Sequence, residues 1–510
     1  MLKFNIGLLH SLGFMSLCSI IQVFAQLLFQ VIIASRFGAN AQVDAFSAAL
    51  AIPTMLSAVF TGSVGYVIVP MLVPLASKKE DDEEFKQLAC SLGAWTCLIC
   101  LFLTAFPFLF SSQITALLYR GFTELQIEAT AKLLSALAPL ILLGAIQGWQ
   151  QSVYHSRQHF LLPALASAIG PAATTILAAF SPKGGSDILW VANAMIFGSI
   201  IAVLILALPM LSHLPNRWGF HASTWKSIRR SIPLFLFNFY SKLDPILDRV
   251  LLAGLTVGAI AHLNYAQRFV TALVLVISSG VSTVAFPDLA GAATTGQGRD
   301  FRHCLSENMR RMLLAVLPVI IGCSLFSYST TQELLERGAF TSNDTTAVAM
   351  IFTAFIGYFI AAAFGDLLAK SFYALGDTRT PSLIGAVGFT LGIGFKILGV
   401  QWGGACGLAW ASSLYYLLNA STMLAILLWR LEDTSWITDL KGTFFRSLSA
   451  TMIGCFFAWA ILRTEVVHIW WLAVIVGAIT YGAILWFLND PTFRKMLRPS
   501  TTLSSDKEIG

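Results

Sequence analysis

Charged residues are scarce in this chain: they make up 11% of its 510 residues, where a soluble globular protein carries about 25%. Hydrophobic residues account for 56% of the sequence. A soluble fold of this composition would have too few charges to cover its surface. The composition therefore excludes a cytosolic enzyme, a secreted disulfide scaffold and a nucleic-acid-binding domain, and it predicts a polytopic membrane protein.

Several chemical signatures are also missing. The eight cysteines follow no regular disulfide framework, and the CxxC of Cys97 and Cys100 lies inside an apolar run, where small apolar residues of a spanning helix are expected. No GxxxxGK[ST] phosphate loop indicates ATP as the energy source. No Ser/His/Asp order and no His cluster with metal-ligand spacing stands out. We therefore expect no enzyme activity, no cofactor and no metal site.

What the sequence does contain is a series of long apolar segments. About 20 mainly apolar residues are needed for a helix to cross the hydrocarbon core, and these segments are too long and too uniform for barrel strands. The predicted fold is an all-α polytopic membrane protein with about fourteen transmembrane helices. The predicted spans are residues 8–35, 46–75, 88–112, 127–153, 160–181, 187–212, 231–255, 260–289, 309–328, 346–373, 382–400, 404–429, 442–463 and 467–488.

The distribution of the 32 Lys and Arg residues tests the span count. With the N-terminus in the cytoplasm and the loops assigned alternately, 21 of them fall on the cytoplasmic side, 5 on the opposite side and 6 within spans. Positive residues accumulate in cytoplasmic loops. The distribution therefore favours an even number of spans with both termini cytoplasmic.

An internal repeat divides the chain. The segment 117–123 (LLYRGFT) resembles 334–341 (LLERGAFT), and Pro163 and Pro381 lie 218 residues apart. Because each repeat has six spans, the two halves share one orientation and enclose a central cavity, as in alternating-access transporters. The predicted domains are a six-helix bundle at 1–217, a second bundle at 218–435, an extra helix pair at 436–490 and a polar cytoplasmic tail at 491–510.

Span 7 concentrates polar residues within the membrane, where charge is costly and marks function. Asn238, Lys242 and Arg249 follow spacings of 4 and 7 and would share one helix face, where they are candidates for substrate binding. Asp244 and Asp248 lie four residues apart on another face and are candidates for ion coupling or gating.

Pro245 lies between these two aspartates and predicts a kink. Carbonyl groups freed by a kink could help Asp244 and Asp248 coordinate a cation. The alternative, equally open, is that the aspartates form internal ion pairs with Lys242 or Arg249.

Span 8 contributes Arg268, a side chain suited to bidentate phosphate contact and a further substrate-binding candidate. Span 10 carries Asp366 and Lys370 four residues apart. They are candidates for gating or coupling, although a self-satisfied ion pair is the favoured interpretation.

Span 1 is uncharged, but Gln22, Gln26 and Gln30 form one polar stripe that could hydrogen-bond sugars or pack against a partner helix. The GxxxG match at Gly388 and Gly392 indicates close helix packing.

Several motifs resemble the MurJ/MviN family of lipid II flippases, over about residues 10–430. The similar segments are Ser35–Ala39 (SRFGA) with Val43–Phe46 (VDAF), Asp248–Arg249, Leu263–Arg268 (LNYAQR), Arg337–Thr341 (RGAFT) and Phe372–Pro381 (FYALGDTRTP). The fourteen-span count agrees with this family. One departure concerns the first half: the family's arginines of spans 1 and 2 have no counterpart at 20–30 or 55–59, so only Arg268 matches its cavity arginines.

The resemblance implies a flippase that moves the undecaprenyl-diphosphate-linked peptidoglycan precursor across the bacterial inner membrane by alternating access. The implied partners are this lipid-linked saccharide and the bilayer, with a monovalent cation as a candidate coupling ion, no nucleic acid, and a monomeric chain. Because the first half lacks those arginines, a flippase for an exopolysaccharide intermediate stays an alternative. A cation-coupled multidrug-type exporter also stays an alternative, because the aspartates of spans 7 and 10 could bind a cation. A non-transporting scaffold is the third alternative.

Overall fold

The protein is helical throughout the part of the chain that the computed structural model describes, which is residues 2–76, 82–181, 188–210, 239–240, 242–294, 298–431, 435–463 and 470–497. Eighteen helices and no strands occur within these ranges, so the predicted all-α fold is confirmed. The helices are α1 (Leu2–Phe37), α2 (Ala41–Ala76), α3 (Asp82–Leu109), α4 (Ser111–Leu118), α5 (Glu124–Leu137), α6 (Pro139–Ser156), α7 (Leu161–Ala179), α8 (Ile188–Met210), α9 (Asp244–Leu252), α10 (Ala259–Thr294), α11 (Gly298–Leu325), α12 (Ser327–Leu335), α13 (Ser342–Ala354), α14 (Ile356–Ala374), α15 (Arg379–Leu431), α16 (Ser435–Arg463), α17 (Trp470–Phe487) and α18 (Pro491–Leu497).

Eleven helices of the described residues are long and apolar enough to cross a membrane, and the bent pair α13 and α14 makes a twelfth. One of them, α15, contains two predicted spans, because its backbone is non-helical at Gly403 and Gly404. Thirteen of the fourteen predicted spans therefore coincide with described helices. The other, residues 231–255, lies largely outside the described residues.

The described end of that span corrects one prediction. The helix α9 begins at Asp244, with Pro245 in its first turn, where proline is tolerated because its missing N–H has no intrahelical partner. Pro245 thus lies in the first turn of α9, and because most of residues 231–243 lie outside the described part of the chain, the predicted kink of the span stays a prediction. Lys242 precedes α9, so Lys242 and Arg249 do not share a helix face as the spacing predicted, and Asn238 lies outside the described residues.

The repeat is visible in matching helix starts. Thr123 caps α5 and exchanges hydrogen bonds with Gln126; Thr341 caps α13 and does the same with Asp344, 218 positions later. After each cap comes a helix that breaks midway, with α5 followed by α6 and α13 by α14. The sequence similarity therefore reflects two copies of one helical pattern.

The chain forms two compact units. Unit 1 comprises Met1–Tyr265 and Leu335–Asp344, and unit 2 comprises Ala266–Leu334 and Thr345–Gly510. Unit 1 thus contains the first sequence repeat together with short segments of the second. The predicted boundaries at residues 217, 435 and 490 stay a prediction.

The extra helix pair α16 and α17 is attached to α11 within unit 2. The Tyr481 hydroxyl of α17 donates to the carbonyl of Leu314 at 2.8 Å and shares a hydrogen bond of 2.9 Å with Ser447 of α16. In the first half of α11, Glu307 accepts from Lys495 of α18 at 3.2 Å. The pair is therefore joined to α11 by the hydrogen bonds of Tyr481, and α18, which follows α17, is joined to α11 by Lys495.

Candidate functional site

The turn between α1 and α2 positions the first residue of the site. Gly38 ends α1 with φ of 68°, a left-handed conformation that favours glycine, and its N–H donates to the Ala34 carbonyl. The Asn40 side chain then caps α2 by accepting from the N–H groups of Gln42 and Val43, each at 3.0 Å. This places the next residue, Asp44, in the first turn of α2.

Asp44 caps a helix that starts more than 200 residues later. Its carboxylate is buried, 3% exposed, and accepts hydrogen bonds from the backbone N–H groups of Gly258 at 2.6 Å and Ala261 at 2.8 Å. Gly258 directly precedes α10 and Ala261 lies in its first turn, and N–H groups at the start of a helix have no intrahelical partner. A carboxylate at this position is also favoured by the helix dipole. A single acidic side chain therefore joins α2 to α10.

A second carboxylate joins α10 to α13. His262, one turn into α10, contacts the Asp344 carboxylate at 2.8 Å, and both side chains are largely buried. The other carboxylate oxygen of Asp344 accepts from the backbone N–H and the hydroxyl of Thr341 at 2.9 and 2.8 Å. The first turns of α2, α10 and α13 are thus connected through Asp44, His262 and Asp344.

Two fully buried tyrosines add contacts to the turns of the first repeat. The Tyr119 hydroxyl donates to the Ala48 carbonyl of α2, and the Tyr265 hydroxyl donates to the Gly38 carbonyl, both at 2.9 Å. The Tyr265 ring packs edge-on against Phe340, with centroids 5.6 Å apart. Both hydroxyl groups are therefore satisfied in an apolar setting, as buried tyrosines require.

Arg249 lies in the same region and is 8% exposed. Its Nε donates to the Ser47 carbonyl of α2 at 3.1 Å, and a terminal nitrogen donates to the Pro245 carbonyl at 2.6 Å. The preceding residue, Asp248, is also buried. A guanidinium can bridge two carbonyls because its donors form a fixed fork. In this conformation, Arg249 joins α9 to α2.

The backbone itself comes into close contact at two points. Ala339 donates its N–H to the Ser35 carbonyl at 2.9 Å, and a Cβ on the neighbouring Gly338, where φ is 61°, would overlap that carbonyl. A Cβ on Gly121 would likewise overlap the backbone of Gly254. The turns after α1, α4, α9 and α12 therefore meet at one end of unit 1.

We call the buried side chains that hold these turns together the helix-end network: Asp44, Tyr119, Arg249, His262, Tyr265 and Asp344. Each bond is non-covalent, and a net contribution of about 0.5–3 kcal/mol per hydrogen bond makes each one reversible. Among the described residues, no three His, Cys, Asp or Glu side chains are placed to hold a metal ion. The arrangement is suited to holding helix ends together and releasing them.

The structure separates the predicted site residues. Arg249 belongs to the helix-end network, and Asp248 is buried beside it in α9. Asp244 lies at the start of α9, and Lys242, before that helix, is exposed. Of the glutamine stripe, Gln26 is exposed and Gln22 half-buried; Gln30 is buried, and its carbonyl oxygen has no hydrogen-bond partner among the described residues. These assignments to substrate binding or ion coupling stay predictions.

The remaining predicted residues lie in unit 2. Arg268 is half-buried in α10. Asp366 and Lys370 form an ion pair at 2.8 Å on α14, with side chains 39% and 26% exposed, which is the geometry of the self-satisfied pair. Their role in gating or coupling stays a prediction.

Sequence reasoning missed most of the network. Asp44 and Tyr265 lie inside segments that resemble family motifs, but nothing local indicates their partners. The position of Asp344 could have been found from the repeat, because it matches Gln126 at an offset of 218. Sequence reasoning also assigned no role to Lys396, which is 1% exposed with its ammonium 5.5 Å from the centre of the Tyr415 ring.

The fold and the helix-end network define a class: a multi-pass helical membrane transporter with an internal repeat. A family model described as "Lipid II flippase MurJ" matches residues 33–482, and the chain belongs to that family. Among its relatives, the probable lipid II flippase MurJ of Thermotoga maritima is 26% identical over 397 residues, covering 76% of this chain and 78% of the relative. The probable lipid II flippase MurJ of Haemophilus influenzae is 24% identical over 495 residues, covering 90% of this chain and 96% of the relative.

Solved structures agree on the fold. The chain is similar to the lipid II flippase MurJ in an inward closed conformation, with a TM-score of 0.81, 21% identity and coverage of 95% of this chain and 99% of the other. An inward-facing multidrug resistance MATE family transporter of the MOP superfamily gives a TM-score of 0.70 at 12% identity, covering 83% and 96%. The fold is thus shared with transporters of two different substrate classes.

Proposed function

We propose that this protein moves lipid II, or a closely similar lipid-linked saccharide, across the bacterial inner membrane by alternating access. Membership of the lipid II flippase MurJ family over residues 33–482 carries this proposal. The composition, with 11% charged residues, and the internal repeat support transport in preference to catalysis. The substrate is lipid-linked, the chain acts as a monomer, and a monovalent cation is the candidate coupling ion.

The orientation follows from the charge distribution. With 21 of 32 Lys and Arg residues in alternate loops, both termini are placed in the cytoplasm. The turns after α1, α4, α9 and α12 then face away from the cytoplasm. The helix-end network accordingly acts as the outer gate, and its present set of contacts corresponds to the closed gate.

Opening this gate requires α2 to separate from α9 and α10. The bonds from Asp44 to the first turn of α10 and from Arg249 to the Ser47 carbonyl would break together. Water entering the opened end would satisfy the freed N–H and carbonyl groups. The gate can therefore be closed by many weak bonds without being locked, as alternating access demands.

Arg268 is the candidate cation for the saccharide diphosphate, since guanidinium groups bind phosphate in bidentate fashion.

The decisive experiment replaces the flippase of a bacterium depleted of its own MurJ with this chain. Growth, and lipid II cleavage by an enzyme added outside the cells, should be restored, and Arg268→Ala should abolish both. Failure of the wild-type chain, at normal membrane levels, to restore either would contradict the proposal.

A second candidate substrate is supported by one observation. Residues 20–30 contain no arginine, so the first half supplies no cation to a diphosphate there. A different lipid-linked saccharide, such as an exopolysaccharide intermediate, would then be carried. Depletion in the source organism distinguishes the two, because the lipid-linked intermediate that accumulates is the substrate.

A further inference from the structure

A groove with a volume of about 420 Å³ lies between the two halves of α15, within unit 2. Its walls are apolar side chains that remain exposed, among them Leu383 at 64% and Leu391 at 57%. Exposed leucines on a membrane-spanning helix face lipid, because a lipid chain is as apolar as leucine. The groove is therefore open to the hydrocarbon of the bilayer.

Two glycines shape the floor of the groove. A Cβ on Gly388 would overlap the side-chain amide of Asn419, and a Cβ on Gly392 would meet the Tyr415 ring at 2.8 Å. Asn419 and Tyr415 thus lie directly against the backbone of the facing helix half. Because neither glycine has a side chain, the groove is deep between the exposed leucines. The close packing also explains the GxxxG spacing of Gly388 and Gly392.

One end of the groove carries a cation. The groove begins at Arg379 and Thr380. Asp377, just before them, accepts from the Thr380 hydroxyl at 2.7 Å and pairs with Arg430 at 2.6 Å. These bonds from Thr380 and Arg430 hold the pKa of Asp377 well below its usual range, so this carboxylate stays ionised and compensates Arg430.

Arg379 keeps its charge uncompensated. Its backbone N–H donates to Asp377 at 3.0 Å, but its exposed guanidinium makes no ion pair with any residue of the described chain. The start of α15 is already capped by Asp377, which also accepts from the Thr380 N–H. The guanidinium, and not the helix end, is therefore the group available to an anion.

We propose that this groove is a binding site for an anionic glycerophospholipid, with one acyl chain between the halves of α15 and the phosphate on Arg379. The helix from Arg379 to Phe395 rises about 24 Å, more than the roughly 15 Å depth of one leaflet, so an acyl chain fits lengthwise. A single uncompensated guanidinium can bind a phosphodiester in bidentate fashion and compensate its single negative charge. This site is separate from the proposed transport pathway and does not depend on which saccharide is carried.

The test is native mass spectrometry of the full chain, delipidated in detergent and titrated with phosphatidylglycerol or with phosphatidylcholine of the same acyl chains. Wild-type protein should retain phosphatidylglycerol about tenfold more strongly, since a hydrogen bond to a charged group contributes about 1.4 kcal/mol or more. Arg379→Gln should remove this preference. Leu391→Trp should weaken binding of both lipids, because the indole fills the groove.

Arg120→Gln is the matched control, since Arg120 is an exposed arginine of unit 1 and the charge change is the same. It should bind phosphatidylglycerol as the wild type does. All variants are compared at equal monodispersity on gel filtration. Equal retention of the two lipids by the wild type, or an unchanged preference in Arg379→Gln, would overturn the proposal. Displacement of phosphatidylglycerol by equimolar undecaprenyl phosphate would overturn it too, by assigning the groove to a polyprenyl chain.

Discussion

The Asp44 carboxylate accepts a hydrogen bond of 2.6 Å from the backbone N–H of Gly258, 214 positions later in the chain. A helix is usually capped by the residue that precedes it, which moves with the helix. Here the cap of α10 belongs to α2, so the cap exists only while the two helices are together. This dependence makes Asp44 the residue whose removal should most directly favour an open gate.

Asp44→Asn keeps the shape of the side chain and removes its charge. The amide oxygen can still accept one of the two backbone hydrogen bonds, but the amide NH2 cannot accept the other. Loss of one hydrogen bond costs about 1 kcal/mol, so the equilibrium between closed and open gate should shift roughly fivefold toward open. The measurement is the rate at which a membrane-impermeant maleimide labels Ala261→Cys, buried in the closed state. Asp300→Asn, an equal charge change on an exposed residue of α11, should leave the rate unchanged.

Gly338→Ala should destabilise the closed gate for two reasons. The φ of 61° costs a residue with a side chain about 1–2 kcal/mol, and the added Cβ would overlap the Ser35 carbonyl. Thermal unfolding in detergent should show a lower midpoint than the wild type. In Gly62→Ala, where the added Cβ meets nothing within 4 Å, the midpoint should stay equal or rise. Equal midpoints for both variants would show that the turn relaxes.

Arg249 separates a structural role from the predicted role in substrate binding. If it holds α9 to α2, Arg249→Met should lower the free energy of unfolding by about 3–6 kcal/mol, because two carbonyls each lose a hydrogen bond to a charged group, at about 1.5–3 kcal/mol each. The free energy of unfolding of Arg249→Lys should lie between those of the wild type and Arg249→Met, because an ammonium keeps the charge but lacks the fork that reaches both carbonyls. Normal stability with lost flipping, measured on the same Arg249→Met membranes, would instead favour substrate binding.

Hydropathy and loop charge predicted the helices well, since both depend only on the bilayer and on local composition. The repeat was also accessible, because its turn residues are conserved in spacing between the halves, as Thr123 and Thr341 show. The site was not. Arg249 binds backbone carbonyls that no pattern reveals, and the shared face with Lys242 failed because α9 starts at Asp244. Contacts to backbone groups far away in the chain carry no residue-type signal.

The central claim is that the helix-end network must come apart for lipid II to cross the membrane. Its most direct test starts from a protein in which the eight native cysteines are replaced. Ser35→Cys and Ala339→Cys are then introduced, at two residues whose backbones are hydrogen-bonded at 2.9 Å, and are joined by a short, reducible bifunctional thiol reagent. A Ser447→Cys and Tyr481→Cys pair, cross-linked between α16 and α17, is the control. Cross-linking Ser35→Cys to Ala339→Cys should stop lipid II from reaching the outer surface, and reduction should restore it, while the control pair keeps flipping. Flipping at the unlinked rate by fully cross-linked protein would contradict the account.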